Sequence, residues 1–582
     1  MYKDSGRVIQ EKANVLWNVA NTISGLYKPH EYGLVILPMA VVKRFHDCLI
    51  ETHDAVLQRV EEVKTLAVKD AFLREASGYP FFNTSKFTFE TLVADPKNIG
   101  ANFRDFLNGF SDNVKDVLEQ MDFEKELTKL EKNGVLYQVV CDFNSEKANL
   151  GPDEVATNDM GYIFENLVQR FSESYDEQAG AHFTSRDIIY LMCDLLVAES
   201  GAKVKGSLRS IYDMTMGTSQ MLTCMVDRLA QLDPGIQTET FGQEFNPFTY
   251  AIAKADMLIR GGDPGNMRFG NTLSEDKFDG FLFDYIISNP PFGIDWKKEA
   301  SAVEDEAAEG EEGRFAPGLP PKSDGQMLFL LNGVKKLKDS GRMAIIQNGS
   351  SLFTGDAGSG PSEIRRYLIE NDWLDAIIQL PTDSFYNTGI ATYVWLVTKS
   401  KPAARRGKVQ LIDASACCEA RRKSIGNKRN DITEAARQLI AKAYKARADE
   451  DYTAAVDGKA LVAKSRVFEG SAFGYTKITV ESPLLENGKT VLKKGKPVAD
   501  AAKRDTENVP LGVDIKAYME KEVLPYNKAA WIDPSKNKVG YEIPFTRTFY
   551  EYKSIESAAA IAKRIQKSEK TLMAGLKELF GK

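Results

Sequence analysis

The residues best suited to chemistry are Asn289-Pro290-Pro291-Phe292. They follow an apolar run, Asp284-Tyr285-Ile286-Ile287-Ser288, that reads as a buried strand. Two prolines cannot extend a strand ladder, so the chain must leave the sheet at that point. An amide, two rigid ring residues and an aromatic side chain then stand at the carboxyl end of a strand, the edge where open α/β sheets bind ligands. A primary amine on a planar ring, such as adenine N6, is a poor nucleophile because the ring delocalises its lone pair. The Asn289 oxygen and the Pro290 carbonyl can accept the two N–H bonds of such an amine, and Phe292 can stack on its ring. Prolines fix φ, so both acceptors are in place before reaction. Taken alone, the four residues also read as an ordinary strand-ending Asn-Pro turn.

The elements that would position this loop are legible on either side of it. Ser210 to Thr215 reads as a strand and turn, and Gly217-Thr218-Ser219-Gln220 opens a helix from Met221. Thr240-Phe241-Gly242-Gln243-Glu244 reads as a second strand ending in an acid, and Arg268 to Leu273 as a third. After the strand into Asn289 come Met343–Ile346, Ala376–Leu380 and Thr392–Val397. Strands at this spacing with helices between them predict an α/β fold, a doubly wound and mostly parallel sheet of seven strands. In such a sheet the Gly217 turn brings backbone to a ligand at a helix start, and Glu244 can take both hydroxyls of a ribose. The third strand's end then lies near a nucleobase. The turn lacks GxGxxG, which disfavours a nicotinamide dinucleotide, and there is no GxxxxGK[ST] phosphate loop. Gly180-Ala181-His182-Phe183-Thr184-Ser185 is a polar break before a helix from Arg186, and its backbone N–H groups are suited to a carboxylate.

Composition bounds the rest. A chain of 582 residues with 43% hydrophobic content supports several cored domains. The divisions expected are residues 1–155, mostly helical; 156–400, the sheet; and 401–582, a mixed extension ending in a helix. No run is apolar enough to span a membrane and no leader is visible at Met1, so a cytoplasmic protein is expected. Six cysteines and four histidines have neither disulfide nor metal-ligand spacing, so no metal is expected. The net charge of −7 is awkward for a protein that holds nucleic acid alone, so its basic surface is local or a partner supplies the grip.

Four further stretches carry expectations. Helices are expected over 8–27 and 32–50, with Pro38 as the start of the second. The acidic run within Lys297 to Gly313 reads as a mobile solvated loop. Arg421 to Asn430 reads as a basic loop, either solvated or in contact with phosphate. Residues 473–498 read as one hairpin turning at Asn487-Gly488. In the last helix, Ala558, Ile561, Ile565, Leu572 and Leu579 form a narrow seam that reads as a docking face for another subunit or as a piece of local core.

Together these motifs resemble the modification subunit of type I restriction–modification systems, an N6-adenine DNA methyltransferase. The likeness rests on Gly180 to Arg186, Asp213 to Ser219, Phe241 to Pro247, Gly270-Asn271-Thr272-Leu273, Asn289 to Gly293, Arg314-Phe315-Ala316-Pro317 and Gly426-Asn427-Lys428-Arg429. It implies S-adenosyl-L-methionine as cofactor, held by Gly180 to Ser185, Asp213, Thr215, Met216, Gly217, Thr218, Ser219, Glu244, Asn271, Thr272 and Leu273. It implies that Asn289, Pro290, Pro291 and Phe292 act on a flipped adenine. It also implies double-stranded DNA, a DNA specificity subunit shared by two modification subunits, and a restriction subunit as partners. The chain departs from the family pattern at Ser185, Met214 and Ser219-Gln220, and Gln220 has the reach to crowd the methionine carboxylate. Two other readings stay open on sequence: an amine acceptor other than adenine, either cytosine N4 or a protein glutamine, and a DNA-binding scaffold with an impaired cofactor site.

Overall fold

Strand and helix alternate from Leu208 onward as the apolar runs predict. The computed structural model describes residues 2–172, 184–198, 206–386, 388–552 and 556–581. Twelve strands are needed to place the site: β1 (Leu208–Asp213), β2 (Gln237–Glu244), β3 (Met267–Phe269), β4 (Phe283–Ser288), β5 (Leu337–Asn348), β6 (Leu374–Gln379), β7 (Thr392–Thr398), β8 (Lys408–Asp413), β9 (Glu419–Ile425), β10 (Lys428–Asp431), β11 (Glu450–Val456) and β12 (Lys459–Glu469). Ten of them form one sheet in the order β11-β12-β8-β6-β7-β5-β4-β1-β2-β3. The expected seven occupy β3 to β6 of that order, with β7 antiparallel to both neighbours. The strands β8, β12 and β11 continue the sheet beyond residue 400. The chain leaves β1 in one direction to β2 and β3, and returns on its other side as β4. The carboxyl ends of β1 and β4 therefore flank a switch point, where a ligand crevice opens.

β4 is buried along its whole length, which explains its continuous apolar run. β3 is shorter than expected. Gly270 takes φ +151, a conformation few side chains adopt, and turns the chain out of the sheet before Asn271.

The N-terminal region is helical as expected, but its second helix runs Gly33–Leu49 with Pro38 inside it. Every residue of that helix except Leu34 and His46 is buried, so packing on all sides outweighs the roughly 3 kcal/mol that an interior proline costs. Arg44 is fully enclosed and donates to the carbonyls of Leu150 and Val155. Helix Pro247–Ile259 joins the two cores. Ala251, Ile252, Ala255 and Leu258 belong to the N-terminal cluster, while Tyr250, Ala253 and Met257 belong to the sheet cluster. Burial on both sides explains its largely apolar sequence, and it starts at Pro247, three residues after Glu244.

Three other expectations change. The acidic run holds a helix, Ala300–Ala307, with Ala300 and Val303 buried beneath it. The basic loop is a hairpin of β9 and β10. In the 473–498 stretch, Gly474–Glu481 pairs instead with Asp505–Pro510, Lys538–Tyr541 and Trp531–Ile532. Asn487-Gly488, both at positive φ, turn only the short ladder Leu485–Glu486 to Lys489–Thr490.

Residues 1–543 form one compact unit and 544–582 a second. Within the second, helix Ala558–Phe580 is capped by Ser557 and ends at Gly581, which takes φ +66. None of its residues is buried, including the Ile561, Ile565, Leu572 and Leu579 seam.

Candidate active site

A cleft of about 360 Å³ opens at the carboxyl ends of β1, β2, β3 and β4. That is the size of a small-ligand site. Its floor begins at Asp213, the last residue of β1, which is 1% exposed. Ser288, the last residue of β4, donates its hydroxyl to Asp213 Oδ1 at 2.7 Å, and the Thr215 N–H donates to the same oxygen at 3.1 Å. Oδ2 accepts nothing among the described residues. Burial pushes the Asp213 carboxyl up to about 7, against those two hydrogen bonds, with a smaller upward push from Glu244.

Glu244 ends β2 on the same rim. Its Oε2 accepts the Gly217 N–H at 2.8 Å and its Oε1 the Asn246 N–H at 2.7 Å. One carboxylate thus ties the β1 turn to the start of helix Pro247–Ile259. Each oxygen keeps a further lone pair for a ligand hydroxyl. Burial raises this carboxyl too, and the backbone N–H groups partly offset the rise. Gly217 sits at φ +53 and Ser219 at φ +66, so the turn is left-handed just before helix Gln220–Leu232. The first N–H groups of that helix have no partner within it and face the site's end of the fold. Met216 packs its side chain against Gly242 beside the turn, so a Cβ there would have to displace the Met216 sulfur.

Asn271, Thr272 and Leu273 line the cleft beyond β3. Thr272 donates its hydroxyl to the Met214 carbonyl at 2.6 Å, and Asn271 donates its amide to Glu299 at 2.9 Å. Arg314 holds this loop from behind. It donates to the carbonyls of Thr272 and Leu273 at 2.7 and 3.3 Å, and pairs with both oxygens of Glu306 at 2.7 Å.

The Asn289 loop forms the remaining wall. Asn289 is 6% exposed and donates Nδ2 to the Thr184 hydroxyl at 2.7 Å. Its Oδ1 is buried without a hydrogen-bond partner. Buried acceptors are nearly always satisfied, so an orphan on a cleft wall marks where a donor belongs. Pro291 lines the cleft, Pro290 is buried, and Phe292 meets Phe385 edge-on at 6.4 Å.

The predicted site residues Asp213, Thr215, Met216, Gly217, Thr218, Glu244, Asn271, Thr272, Leu273, Thr184, Asn289 and Pro291 therefore share one cleft. Ser219 shapes its turn. Ser185 lies behind it, where its hydroxyl meets Lys428 Nζ at 3.2 Å. Gly180, Ala181, His182 and Phe183 lie outside the described residues. Met214 is fully buried, with Asn332 donating to its sulfur at 3.3 Å. Gln220 accepts from Arg186, which is itself paired with Glu165 at 2.8 Å. Its amide is thus engaged at the cleft edge and not loose over the Gly217 turn. Sequence reasoning missed Glu299 and the Glu306–Arg314 clamp. Only the Arg314-Phe315-Ala316-Pro317 likeness pointed there, because neither acid stands next to a recognisable turn.

The profile of the N-6 DNA Methylase family matches residues 155–466. This chain belongs to that family. The HsdM N-terminal domain profile matches residues 12–143, so the resemblance read from the motifs is borne out across both regions. The type I restriction enzyme MjaIX methylase subunit of Methanocaldococcus jannaschii is 24% identical over 543 residues, covering 89% of each chain. The HindI methylase subunit of Haemophilus influenzae is 27% identical over 276 residues, 47% of this chain and 57% of that one. The type I restriction-modification system methyltransferase subunit of Streptococcus thermophilus shares the fold, with a TM-score of 0.61, 24% identity, and coverage of 80% of this chain and 97% of its own. A methylase fold thus frames the cleft. Among the described residues, no helix is long and apolar enough to cross a membrane.

Proposed function

We propose that this N-6 DNA methylase chain is the modification subunit of a type I restriction–modification system and methylates N6 of adenine in DNA. The observation that carries the reading is the unpartnered Asn289 Oδ1 in a residue of the cleft wall that Asp213 and Glu244 also line.

The residues present fit S-adenosylmethionine. Asp213 Oδ2 is available to an ammonium or sulfonium-bearing end, the Gly217 turn and helix start suit a carboxylate, and Glu244 has lone pairs for ribose hydroxyls. When bound, this cofactor supplies an electrophilic methyl group. Asn289 Oδ1 and the Pro290 carbonyl accept the N6–H bonds and draw the nitrogen lone pair out of conjugation. Thr184 holds the Asn289 amide so that its oxygen is the free end. Phe292 stacks on the base, which must leave the duplex at a cost of a few kcal/mol. Most of the acceleration then comes from holding the amine in place.

The rigid loop would suit cytosine N4 or a glutamine amide equally, but the family match favours adenine. The scaffold reading is not favoured, since Met214 is turned into the core and the cleft stays open. Double-stranded DNA, a specificity subunit shared by two copies of this chain, and a restriction subunit are the proposed partners. The exposed seam of helix Ala558–Phe580 is the proposed docking element. Asn289→Ala is expected to abolish methylation while cofactor binding stays within about twofold, by mass spectrometry of digested DNA and calorimetry. Methylation at the wild-type rate by that variant refutes the proposal.

A further inference from the structure

The basic stretch around Arg421 to Arg429 has no part in the cleft, yet the fold fixes it firmly beside it. The two strands β9 and β10 turn through Gly426-Asn427. Gly426 takes φ +54, and a Cβ there would come 2.4 Å from the Tyr386 carbonyl. Only glycine lets the turn press that closely. The Asn427 N–H donates to the same carbonyl at 2.8 Å, and the N–H groups of Arg429 and Asn430 donate to the Asp383 carbonyl at 2.8 and 3.1 Å. Lys428 is 1% exposed and is spent as an anchor. Its ammonium reaches Asp187 at 2.9 Å, the Ser384 carbonyl at 3.1 Å and Ser185 at 3.2 Å.

The same short segments carry the target side of the cleft. Thr184 precedes Ser185 and holds Asn289, while Phe385 follows Ser384 and meets Phe292. The hairpin is therefore fixed, through adjacent residues, to both the amide and the ring that receive the base.

Its outer cations are free. Arg421 is paired with Asp431 at 2.6 Å. Arg422, Lys423 and Arg429 are exposed, and none of their side chains has an ion pair or hydrogen bond among the described residues. In a chain with net charge −7, three unpaired cations on one anchored hairpin are a concentrated local surface for polyanions. A solvated surface would not need a buried lysine to hold it in register.

We propose that the β9–β10 hairpin grips DNA phosphates next to the extruded base, with Arg422, Lys423 and Arg429 as the contacts. The inference rests on the methylase function above and adds where the DNA backbone lies. Phosphate contacts give position and salt dependence, with a slope of about 0.9 in log affinity against log salt per phosphate.

The test is anisotropy of a fluorescein-labelled duplex titrated with the full chain, alone and with its specificity subunit, over about 50 to 200 mM KCl. The triple variant Arg422→Ala/Lys423→Ala/Arg429→Ala is compared with Lys493→Ala/Lys494→Ala/Lys496→Ala, which removes the same charge from another exposed hairpin. The first variant should lower the salt slope by about 2 to 3, and the second should leave it as in the wild type. An unchanged slope in the first variant, or an equal fall in both, overturns the hairpin assignment while the methylase function stands. A wild-type chain that binds no duplex under any of these conditions counts against the function itself, and the hairpin falls with it.

Discussion

The Thr184 hydroxyl accepts the Asn289 Nδ2–H at 2.7 Å across 105 residues of chain. This one bond decides which end of the amide is engaged, and it leaves the oxygen without a partner. Thr184→Val keeps the shape and removes the acceptor. It should lower kcat for methylation roughly tenfold to a hundredfold, as expected when a reacting group loses its orientation. Thr184→Ser should restore most of the rate. Steady-state kinetics that show only a raised KM would place Thr184 outside this role.

Asp213 is expected to make cofactor binding depend on pH. Its carboxyl sits at about 7 in the folded chain, so near pH 6 it is mostly protonated. A cationic ligand favours the ionised form, so binding below pH 7 must release a proton. Affinity for S-adenosylmethionine should therefore rise with pH toward 7 and level off above it, falling by up to about tenfold per unit below. Calorimetry in buffers of different ionisation enthalpy reads the released proton directly. Asp213→Asn should flatten the profile and weaken binding above pH 7. The sign for folding is opposite: a raised carboxylate pKa disfavours the charged form in the fold, so this group's penalty on stability grows as pH rises from about 4 to 7.

Glu299 stands where the base of the cofactor is proposed to lie. The Asn271 oxygen accepts the Leu273 N–H at 3.0 Å and its amide goes to Glu299, which leaves the Glu299 carboxylate as the acceptor with capacity to spare. Such a group favours an exocyclic amine over an oxygen. Wild-type protein should bind S-adenosylhomocysteine at least about tenfold tighter than its inosine counterpart, and Glu299→Gln should narrow that ratio. Equal ratios in the two proteins, measured by calorimetry, would remove Glu299 from recognition.

Glu306 and Arg314 form a largely enclosed fork pair behind the Thr272 loop. Glu306→Ala leaves the buried guanidinium with only Asp276, 3.8 Å away and shared with Lys336, as a carboxylate partner. The expected loss is about 3 kcal/mol in urea unfolding, the lower end for a broken buried pair because Glu306 keeps some solvent contact. Weaker cofactor binding should accompany it, since Arg314, which anchors the Thr272 and Leu273 carbonyls, is itself held less firmly. Replacing exposed Glu311 or Glu312 by alanine should change stability by less than about 0.5 kcal/mol.

The sequence alone determined the alternation of strands and helices, the acid at the end of β2 and the proline-locked loop after β4. Each is a local property: a run of apolar residues, a chain-breaking pair, a turn glycine. The tertiary structure decided what no local pattern holds. The free end of Asn289 depends on Thr184, the fate of Gln220 depends on Arg186, and the acidic run is a helix packed through Ala300 and Val303, with Glu306 on Arg314. Lys428, one cation among several in the sequence, became a buried anchor while its neighbours stayed in solvent. Such outcomes turn on which side chains meet across long stretches of chain, and hydrogen bonds and ion pairs of that kind are set by distance in space, not by spacing in sequence.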